Sequence, residues 1–476
     1  MISICAAALI LIAGYLIYGT LAERCFSPDD RKTPALLMHD GVDFVPMKEW
    51  KLFLVQLLNI AGTGPIFGAL MGAVFGPVVF LWIVFGSILG GAVHDYFSGM
   101  ISERNRGASI AELSGVYLGR GAKFGMRVFS VVLLILVGTV FVTSPAALLA
   151  ELTPGVLSAP VWTAIILGYY ILATLLPIDK IIGRMYPVFG VTLIVMAAAI
   201  IGGIIVGGYH IPEVSLENRH PDGLPIWPYM FVTVACGAIS GFHATQSPLV
   251  AKCITNERQG KRVFYGAMIT EAVIALIWAA AGSAFYGDTT SLHRAITDFG
   301  QSAVVYRISQ GVLGKVGGIL AIIGVIVCPI TSGDTAFRGA RIILAEWTGL
   351  KQNRIGNRLI LTLPLLGVGA LLTQIDFNIL WRYFSWSNQT LAMIALWCAS
   401  VYLIQNTKGL RYLIAALPAA FMTAVSVTYI LMASEGLSLR SQIAYPVGAT
   451  AAVVALAACL LYASRYAKRP KNRDRA

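Results

Sequence analysis

The stretch Asn59-Ile-Ala-Gly-Thr-Gly-Pro-Ile-Phe-Gly68 decides the fold, because it interrupts an apolar segment long enough to cross a bilayer. Gly62, Gly64 and Pro65 are poor residues for a continuous helix, since Gly costs about 1 kcal/mol relative to Ala in a helix interior and Pro about 3 kcal/mol. In hydrocarbon, the backbone groups freed by such a break must be satisfied by protein, water or a ligand. The break is therefore either repaired by neighbouring helices or used as a binding site.

The composition around this stretch is that of a polytopic membrane protein. Of 476 residues, 57% are hydrophobic and 12% are charged, whereas soluble domains carry about 25% charged residues. The seven cysteines have no metal-binding spacing such as C-x-x-C, so we interpret them as packing residues and predict no metal site. The sequence contains no G-x-x-x-x-G-K-[ST] motif, nucleophile elbow or H-E-x-x-H. This argues against an ATP-driven pump and against a membrane enzyme, and it predicts no bound cofactor.

Hydropathy predicts thirteen membrane spans when the window is about 20 residues long. They lie near 2–21, 52–72, 75–98, 128–150, 160–177, 186–207, 228–250, 262–286, 312–336, 357–374, 378–404, 411–433 and 442–464. With the N-terminus outside, only Arg219, Arg294, Arg307 and Arg440 fall in loops on the outer side, and almost all other Lys and Arg residues face the cytoplasm. This is the positive-inside pattern. The pattern indicates that the net charge of +12 reflects orientation in the membrane and not nucleic-acid binding.

The segments between these spans are predicted to be loops without a large soluble domain. The longest are 22–51, 99–127, 208–227 and 287–311, of which the last two face outside. The apolar segment Met1–Leu21 has no basic start and no small-residue cleavage site, so we predict a retained span and not a cleaved signal peptide.

A second interruption occurs in the seventh predicted span, at Ser240-Gly-Phe-His243. Gln246 and Pro248 follow closely, so polar and helix-breaking residues accumulate at membrane depth. A packing interface built on Gly237-x-x-x-Gly241 would explain the small residues. It would not explain His243 and Gln246 together.

The spacing of the two breaks predicts an inverted repeat. The broken spans are the second and the seventh, so the second unit enters the membrane from the opposite side. Two five-span units, each opening with a broken helix, are typical of secondary transporters. The predicted divisions are 1–51 (first helix and cytoplasmic loop), 52–207 (first unit), 208–227 (outside connector), 228–404 (second unit), 405–464 (two further helices) and 465–476 (basic cytoplasmic tail). We therefore predict an all-α polytopic membrane protein with a 5 + 5 inverted repeat.

The two breaks together are the predicted substrate site. Half-helix N-termini with free N–H groups favour an anionic group, whereas freed carbonyl oxygens suit a cation. The candidate substrate-binding residues are Gly62, Thr63, Gly64, Ser240, Gly241, Phe242 and His243.

Polar residues in other spans are candidates for ion or proton coupling. They are Thr331, Ser332, Asp334, His94, Asp95 and Glu271. The hydroxyls of Thr331 and Ser332 could coordinate Na⁺. Asp334 could carry a proton, or it could pair with Arg338 one turn later.

The remaining candidates have equally open interpretations. His94 and Asp95 could relay protons, because the pKa of His lies near neutrality. Alternatively, they form a helix-end pair at the cytoplasmic interface. Glu271 could act in a gate or carry a proton, but no partner for it is evident in the sequence.

Five motifs resemble those of the carbon starvation protein A family, in the same order from about Trp50 to Ala395. They are Ile60-Ala-Gly-Thr-Gly-Pro-Ile66, Gly90-Gly-Ala-Val-His-Asp-Tyr96, Ser240-Gly-Phe-His-Ala244, Thr331-Ser-Gly-Asp-Thr-Ala-Phe-Arg338 and Phe384-Ser-Trp-Ser-Asn-Gln-Thr-Leu391. The resemblance implies an uptake carrier of the bacterial inner membrane with the leucine-transporter type of fold, in the amino acid–polyamine–organocation superfamily. In that fold the first and sixth core helices are unwound around the substrate. The resemblance also implies that Thr331 and Ser332, on the eighth core helix, face a cation site.

Members of this family are linked to uptake of peptides or pyruvate when carbon is scarce, with proton coupling. We therefore predict a secondary active, proton-coupled uptake transporter for a small carboxylate-bearing nutrient, and the bilayer as its surroundings. A sodium-coupled carrier of another small solute, or a transporter-derived channel or nutrient sensor, are the alternatives. A peptide needs an acidic residue near the break for its amine. Because Asp95, Glu271 and Asp334 are all expected toward the cytoplasmic side, the residues favour a monocarboxylate such as pyruvate. The sequence indicates no oligomeric state.

Overall fold

The computed structural model is all-helical over the residues it describes, which are 1–41, 43–175, 178–352 and 354–468. The longer helices are α1 Ile2–Phe26, α2 Glu49–Ile60, α3 Gly64–Ala73, α4 Val79–Arg104, α5 Arg120–Leu152, α6 Ala159–Leu175, α7 Ile178–Val206, α8 Gly241–Ala251, α9 Glu257–Tyr286, α10 Thr289–Ile322, α11 Cys328–Thr348, α12 Ile355–Leu372, α13 Phe377–Asn406, α14 Leu413–Met432 and α15 Ser441–Ala467. The shorter ones are Pro34–Leu37, Ile110–Tyr117, Ile226–Met230 and Phe231–Thr233. The predicted all-α fold class is confirmed.

Many of these helices have the length and composition of membrane spans. Within the described residues nine do so, and ten if α2 and α3 count as one bent span. In their apolar windows α1 and α15 are only 22% and 17% buried, whereas α4 is 83% buried. Apolar helices with so much uncovered surface need lipid as their solvent. Thus α1 and α15 lie at the periphery of the bundle, and α4 lies in its core.

The segment 287–311 was predicted to be a loop, but most of it belongs to the helix α10. This helix bends at Gly300 and Gly314, whose φ angles are 79° and 61°. Leu292 and Ile296 are buried four residues apart, which is the spacing of one helix face. The polar residues between them lower the average hydropathy, and this average concealed the helical period.

Two other predicted segments extend beyond the described residues. The predicted span 160–177 corresponds to α6, and its last two residues lie outside the described part of the chain. The same holds for residues 469–476 of the predicted tail.

The core packing has the symmetry of an inverted repeat. In the first broken span, α3 packs against α9, which is the second helix of the second unit. In the second broken span, α8 packs against α4, which is the second helix of the first unit. Helices α5 and α11, which belong to the third predicted spans of the two units, pack against each other. Each contact thus has its counterpart, as two units related by an axis in the membrane plane require.

The added helices lie outside this core. Helix α1 packs against α4 and α9, and α14 packs between α13 and α15. One end of the bundle carries the connector 207–225, the beginning of α10 and the segment 433–440, which together surround one cavity. We call this end the connector face.

Candidate substrate and coupling site

The first break lies between α2 and α3, which are bent by 50° relative to each other. Pro65 lies in the first turn of α3, where its missing N–H costs little because the first N–H groups of a helix have no intrahelical partner. Thr63 is fully buried. A Cβ atom on Gly62 would lie 2.6 Å from the ring of Phe141. The ring of Phe141 therefore covers the break, and only glycine fits beneath it.

The second break separates Phe231–Thr233 from α8. Gly237, between them, has a φ of 87°, a conformation that glycine adopts without steric cost. Ser240 has extended backbone angles and immediately precedes α8. A Cβ atom on Gly64 would overlap Cβ of Cys236. The two breaks are therefore in direct contact.

Two amide side chains of α13 satisfy backbone groups at the second break. Asn388 Oδ1 accepts a hydrogen bond from the N–H of Phe242 at 2.6 Å, and Asn388 Nδ2 donates to the hydroxyl of Ser240 at 3.0 Å. Gln389 Nε2 donates to the carbonyl of Phe231 at 2.9 Å. The second break is thus partly repaired by the protein. The N–H of Phe242 in particular is already occupied.

Four buried ionisable side chains form a chain beside the second break. Nδ1 of His94 and Nδ1 of His243 each lie 2.8 Å from a different oxygen of Asp95. On its other side, His243 Nε2 lies 3.4 Å from Glu271 Oε2. All four residues are at most 1% exposed. We call this chain, His94–Asp95–His243–Glu271, the buried network.

The buried network joins residues that the sequence left apart. His94 and Asp95 lie inside α4, and Asp95 contacts His243 at the second break, so the alternative of a helix-end pair at the interface is wrong. Glu271 has His243 as its partner, a contact that could not be seen in the sequence. The expectation that Asp95 and Glu271 lie toward one side of the membrane, away from the break, also needs correction. The argument that favoured a monocarboxylate over a peptide depended on this expectation, so it no longer holds.

The charges in the buried network explain what it can do chemically. A buried charge is costly unless it is paired. If Asp95 and Glu271 are both ionised and His243 is protonated, one negative charge remains uncompensated. One added proton or cation removes it. The ligand atoms of Cys236, His243 and Glu271 also lie within 4.8 Å of one another, so either kind of positive charge fits there.

Among the candidates on α11, Ser332 contacts the first broken span. The hydroxyl of Ser332 donates to the carbonyl of Leu58 in α2 at 3.2 Å, and Thr331 is the preceding residue. Asp334 forms an ion pair with Arg338 at 3.1 Å, which is the pairing considered as an alternative above. The six predicted coupling residues therefore lie in two places: His94, Asp95 and Glu271 in the buried network, and Thr331, Ser332 and Asp334 on α11.

A cavity of about 510 Å³ opens from the connector face toward the breaks. Thr233 and Trp381 line it, and so does Arg382, which is paired with Glu435 at 3.4 Å. The ring of Trp381 packs against Phe67, with their centroids 6.1 Å apart. Because Phe67 lies one helical turn beyond the first break, this contact joins the cavity wall to the first broken span.

Three residues at the rim of this cavity were missed by the sequence analysis. His293 Nε2 lies 3.0 Å from Asp222 Oδ2, and His220 contributes a third ligand atom within 4.8 Å of the others. Burial lowers the pKa of His220 below its usual value, and the neighbouring His293 lowers it further. The only sequence signal was the His220-Pro-Asp222 stretch, because His293 joins it through the fold alone.

A helical bundle with an inverted repeat and two broken helices in contact at its centre defines the class of secondary transporters. The family described as carbon starvation protein CstA matches residues 1–161, 147–312 and 287–429. Because these matches cover most of the chain, the protein belongs to this family. The predicted family is confirmed. The protein is accordingly a membrane transporter and not an enzyme.

Similar proteins include both a peptide carrier and a pyruvate carrier. An uncharacterized membrane protein of Haemophilus influenzae is 45% identical over 341 residues, which cover 60% of this chain and 92% of that protein. The peptide transporter CstA of Escherichia coli K12 is 25% identical over 560 residues, covering 89% and 79%. The pyruvate/proton symporter BtsT of the same organism is 27% identical over 348 residues, covering 58% and 48%.

Two solved structures have a similar fold. MhsT in complex with L-phenylalanine has a TM-score of 0.57 at 14% identity, covering 88% of this chain and 99% of that one. The inward-facing conformation of Mhp1 has a TM-score of 0.54 at 14% identity, covering 87% and 91%. These likenesses confirm the predicted leucine-transporter type of fold.

Proposed function

We propose that the protein is a proton-coupled importer of a small carboxylate-bearing nutrient, a short peptide or pyruvate, used when carbon is scarce. The observation that carries this proposal is the buried network, because it brings two carboxyl groups and two imidazoles together beside the second break, where they can bind a proton. The names of the related peptide transporter and pyruvate/proton symporter agree with this substrate class.

In this proposal the two functional units are 52–207 and 228–404, and the substrate lies between their breaks. Its carboxylate binds the N–H groups of Thr63 and Gly64 at the start of α3, where helix N–H groups lack intrahelical partners. The first break is the better anion site, because Asn388 already occupies the N–H of Phe242 at the second break. The substrate displaces the ring of Phe141, which covers Gly62.

The proton binds within the buried network, at the contact between His243 and Glu271. This contact, at 3.4 Å, is longer than the two contacts of Asp95 at 2.8 Å, so Glu271 is held least tightly. Protonation of Glu271 removes its attraction for His243. Because His243 lies in the first turn of α8, the loss of this attraction changes the position of the second break relative to α9.

The connector face is the outer face of the bacterial inner membrane in this proposal. The N-terminus lies outside and the C-terminus in the cytoplasm. The distribution of Lys and Arg supports this orientation. The cavity of about 510 Å³ is then the entrance from outside.

Peptide and pyruvate differ in what they require of Glu271. A peptide carries an ammonium group, and Glu271 is a buried carboxylate at the break that could accept it. Pyruvate has no cation and requires none. Glu271→Gln is therefore expected to reduce the affinity for a dipeptide more than the affinity for pyruvate.

Purified protein in liposomes tests the proposal. We expect labelled pyruvate or a labelled di- or tripeptide to accumulate when the outside is made acidic, with no dependence on sodium. Entry that stops at equal concentrations despite the gradient would identify a channel. No entry of any of these solutes would contradict the substrate class.

Sodium coupling is the second candidate, and one observation favours it. The hydroxyl of Ser332 lies 3.2 Å from the carbonyl oxygen of Leu58, so two oxygen ligands of the kind that Na⁺ prefers are adjacent at the first break. In the same liposomes, accumulation driven by sodium at constant pH would select this candidate. We expect Ser332→Ala to abolish such accumulation while Ser98→Ala, a buried hydroxyl elsewhere in the core, retains it.

A further inference from the structure

We propose that His220, Asp222 and His293 form a binding site for a divalent cation of the zinc class at the rim of the cavity on the connector face. Their three ligand atoms lie within 4.8 Å of one another, and His293 Nε2 already lies 3.0 Å from Asp222 Oδ2. Two of the residues come from the connector 207–225 and the third comes from α10. One ion therefore links two parts of the chain that the sequence separates.

The connector is held in place before any ion binds. The N–H of Arg219 donates to the carbonyl of Phe75 at 3.1 Å, and the hydroxyl of Thr289 donates to the carbonyl of Arg219 at 2.7 Å. The N–H of His220 in turn donates to Asn218 Oδ1 at 3.2 Å. These bonds attach the turn to the end of the first broken span and to the start of α10. The ligands thus need little rearrangement, and this raises the affinity for an ion.

The donor set suits zinc-class ions and not Mg²⁺ or Ca²⁺. Two imidazoles and one carboxylate match the ligands that Zn²⁺ takes from proteins, whereas the hard cations prefer oxygen alone. Nδ1 of His220 carries a lone pair, because it accepts the N–H of Asp222 at 3.2 Å. An ion at Nδ1 replaces only this long hydrogen bond. Three protein ligands leave a fourth position open to water.

Ions can reach this site from solution. The side chains of Asp222 and His293 are 61% and 31% exposed. His220 is fixed from behind by the ring of Phe75, with the ring centroids 4.6 Å apart. A bound ion holds the connector against α10 beside the entrance to the cavity. We therefore expect it to lower uptake. The binding does not depend on the proposed transport function, whereas this inhibition does.

Calorimetric titration of the purified full-length protein with zinc chloride tests the binding. We expect one site in the wild type, and at least tenfold weaker binding in His293→Asn and in Asp222→Asn. His210→Asn is the matched control, because His210 lies exposed in the same connector and outside the cluster. Unchanged thermal unfolding without zinc establishes that each variant is folded. The proposal is overturned if the His220→Asn/His293→Asn double variant binds zinc as tightly as the wild type does, or if His210→Asn weakens binding equally.

The effect of the ion on uptake is measured separately in liposomes. External zinc should lower uptake by the wild type and by His210→Asn, but not by His293→Asn. Wild-type protein that binds zinc and transports at an unchanged rate would contradict the inhibition while leaving the site intact. Absence of zinc binding in a protein that transports normally would contradict the site and leave the proposed function untouched.

Discussion

At the scale of single residues, Asp95 is the centre of the buried network. Its two oxygens each hold one imidazole at 2.8 Å, one from its own helix and one from the second broken span. An aspartate whose two oxygens contact two imidazoles fixes the orientation of both rings. Asp95 therefore joins α4 to the start of α8.

Asp95→Asn should separate proton coupling from folding. An amide of the same shape offers only one acceptor oxygen, so one charge-assisted hydrogen bond is lost, at a cost of about 1.5–3 kcal/mol. We expect at least a tenfold loss of proton-driven uptake, while exchange of labelled for unlabelled substrate without a gradient continues. Uptake is measured in liposomes across a series of external pH values.

Asp298→Asn provides the control for this substitution. Asp298 lies exposed on α10, and its replacement should leave proton-driven uptake within a factor of two of the wild type. If Asp95→Asn accumulates substrate with the same pH dependence as the wild type, the buried network does not carry the proton.

At the scale of elements, the two breaks are unequal. Helix α13 repairs the second through Asn388 and Gln389. The first receives a hydroxyl from Ser332 and is covered by Phe141. Whether a break is repaired by neighbouring helices or left for a ligand thus has a different answer at each of the two interruptions. In the proposed function, the repaired break contributes the side chain of His243 to the proton site, and the other contributes backbone N–H groups to the substrate site.

The contact between the breaks can be tested by a compensating pair of substitutions. Gly64→Ala should lower the thermal stability and reduce uptake at least tenfold, because its Cβ overlaps Cβ of Cys236. Overpacking of this kind costs about 1–3 kcal/mol. Adding Cys236→Gly removes the overlapping atom, and we expect the double variant to recover most of the lost stability.

Thermal unfolding of the single and double variants measures this recovery. Gly168→Ala is a suitable control, since a Cβ at Gly168 meets no atom within 4 Å. Cys236→Gly alone lowers the stability of the wild type by some amount. If it lowers the stability of Gly64→Ala by the same amount, the two positions do not interact and the breaks are not in contact.

At the scale of the whole molecule, hydropathy and the positions of Gly and Pro within apolar segments were sufficient to predict the class of protein and the inverted repeat. The breaks at Gly62–Gly64 and Ser240–His243 are local features, so they could be read directly from the chain. The polar helix α10 could not be read in this way. Its apolar residues have helical spacing, but Arg294, Asp298 and Gln301 lower the average hydropathy of the segment. A window average loses the period of 3.6 residues on which such helices depend.

The composition of the site was predictable only in part, for a different physical reason. His94, Asp95, His243 and Glu271 stood out singly, because ionisable residues are costly in a membrane. Their arrangement into one network depends on the packing of α4, α8 and α9. Such long-range packing has no local signature. The cluster of His220 with His293 was missed for the same reason.

The most direct test of the central claim is the movement of protons caused by the substrate itself. Liposomes containing the protein and an internal pH indicator receive pyruvate or a dipeptide outside, without any imposed gradient. We predict internal acidification in step with the entry of labelled substrate, at least tenfold slower in Glu271→Gln. Entry of the substrate without acidification, or with an absolute requirement for sodium, would contradict the account.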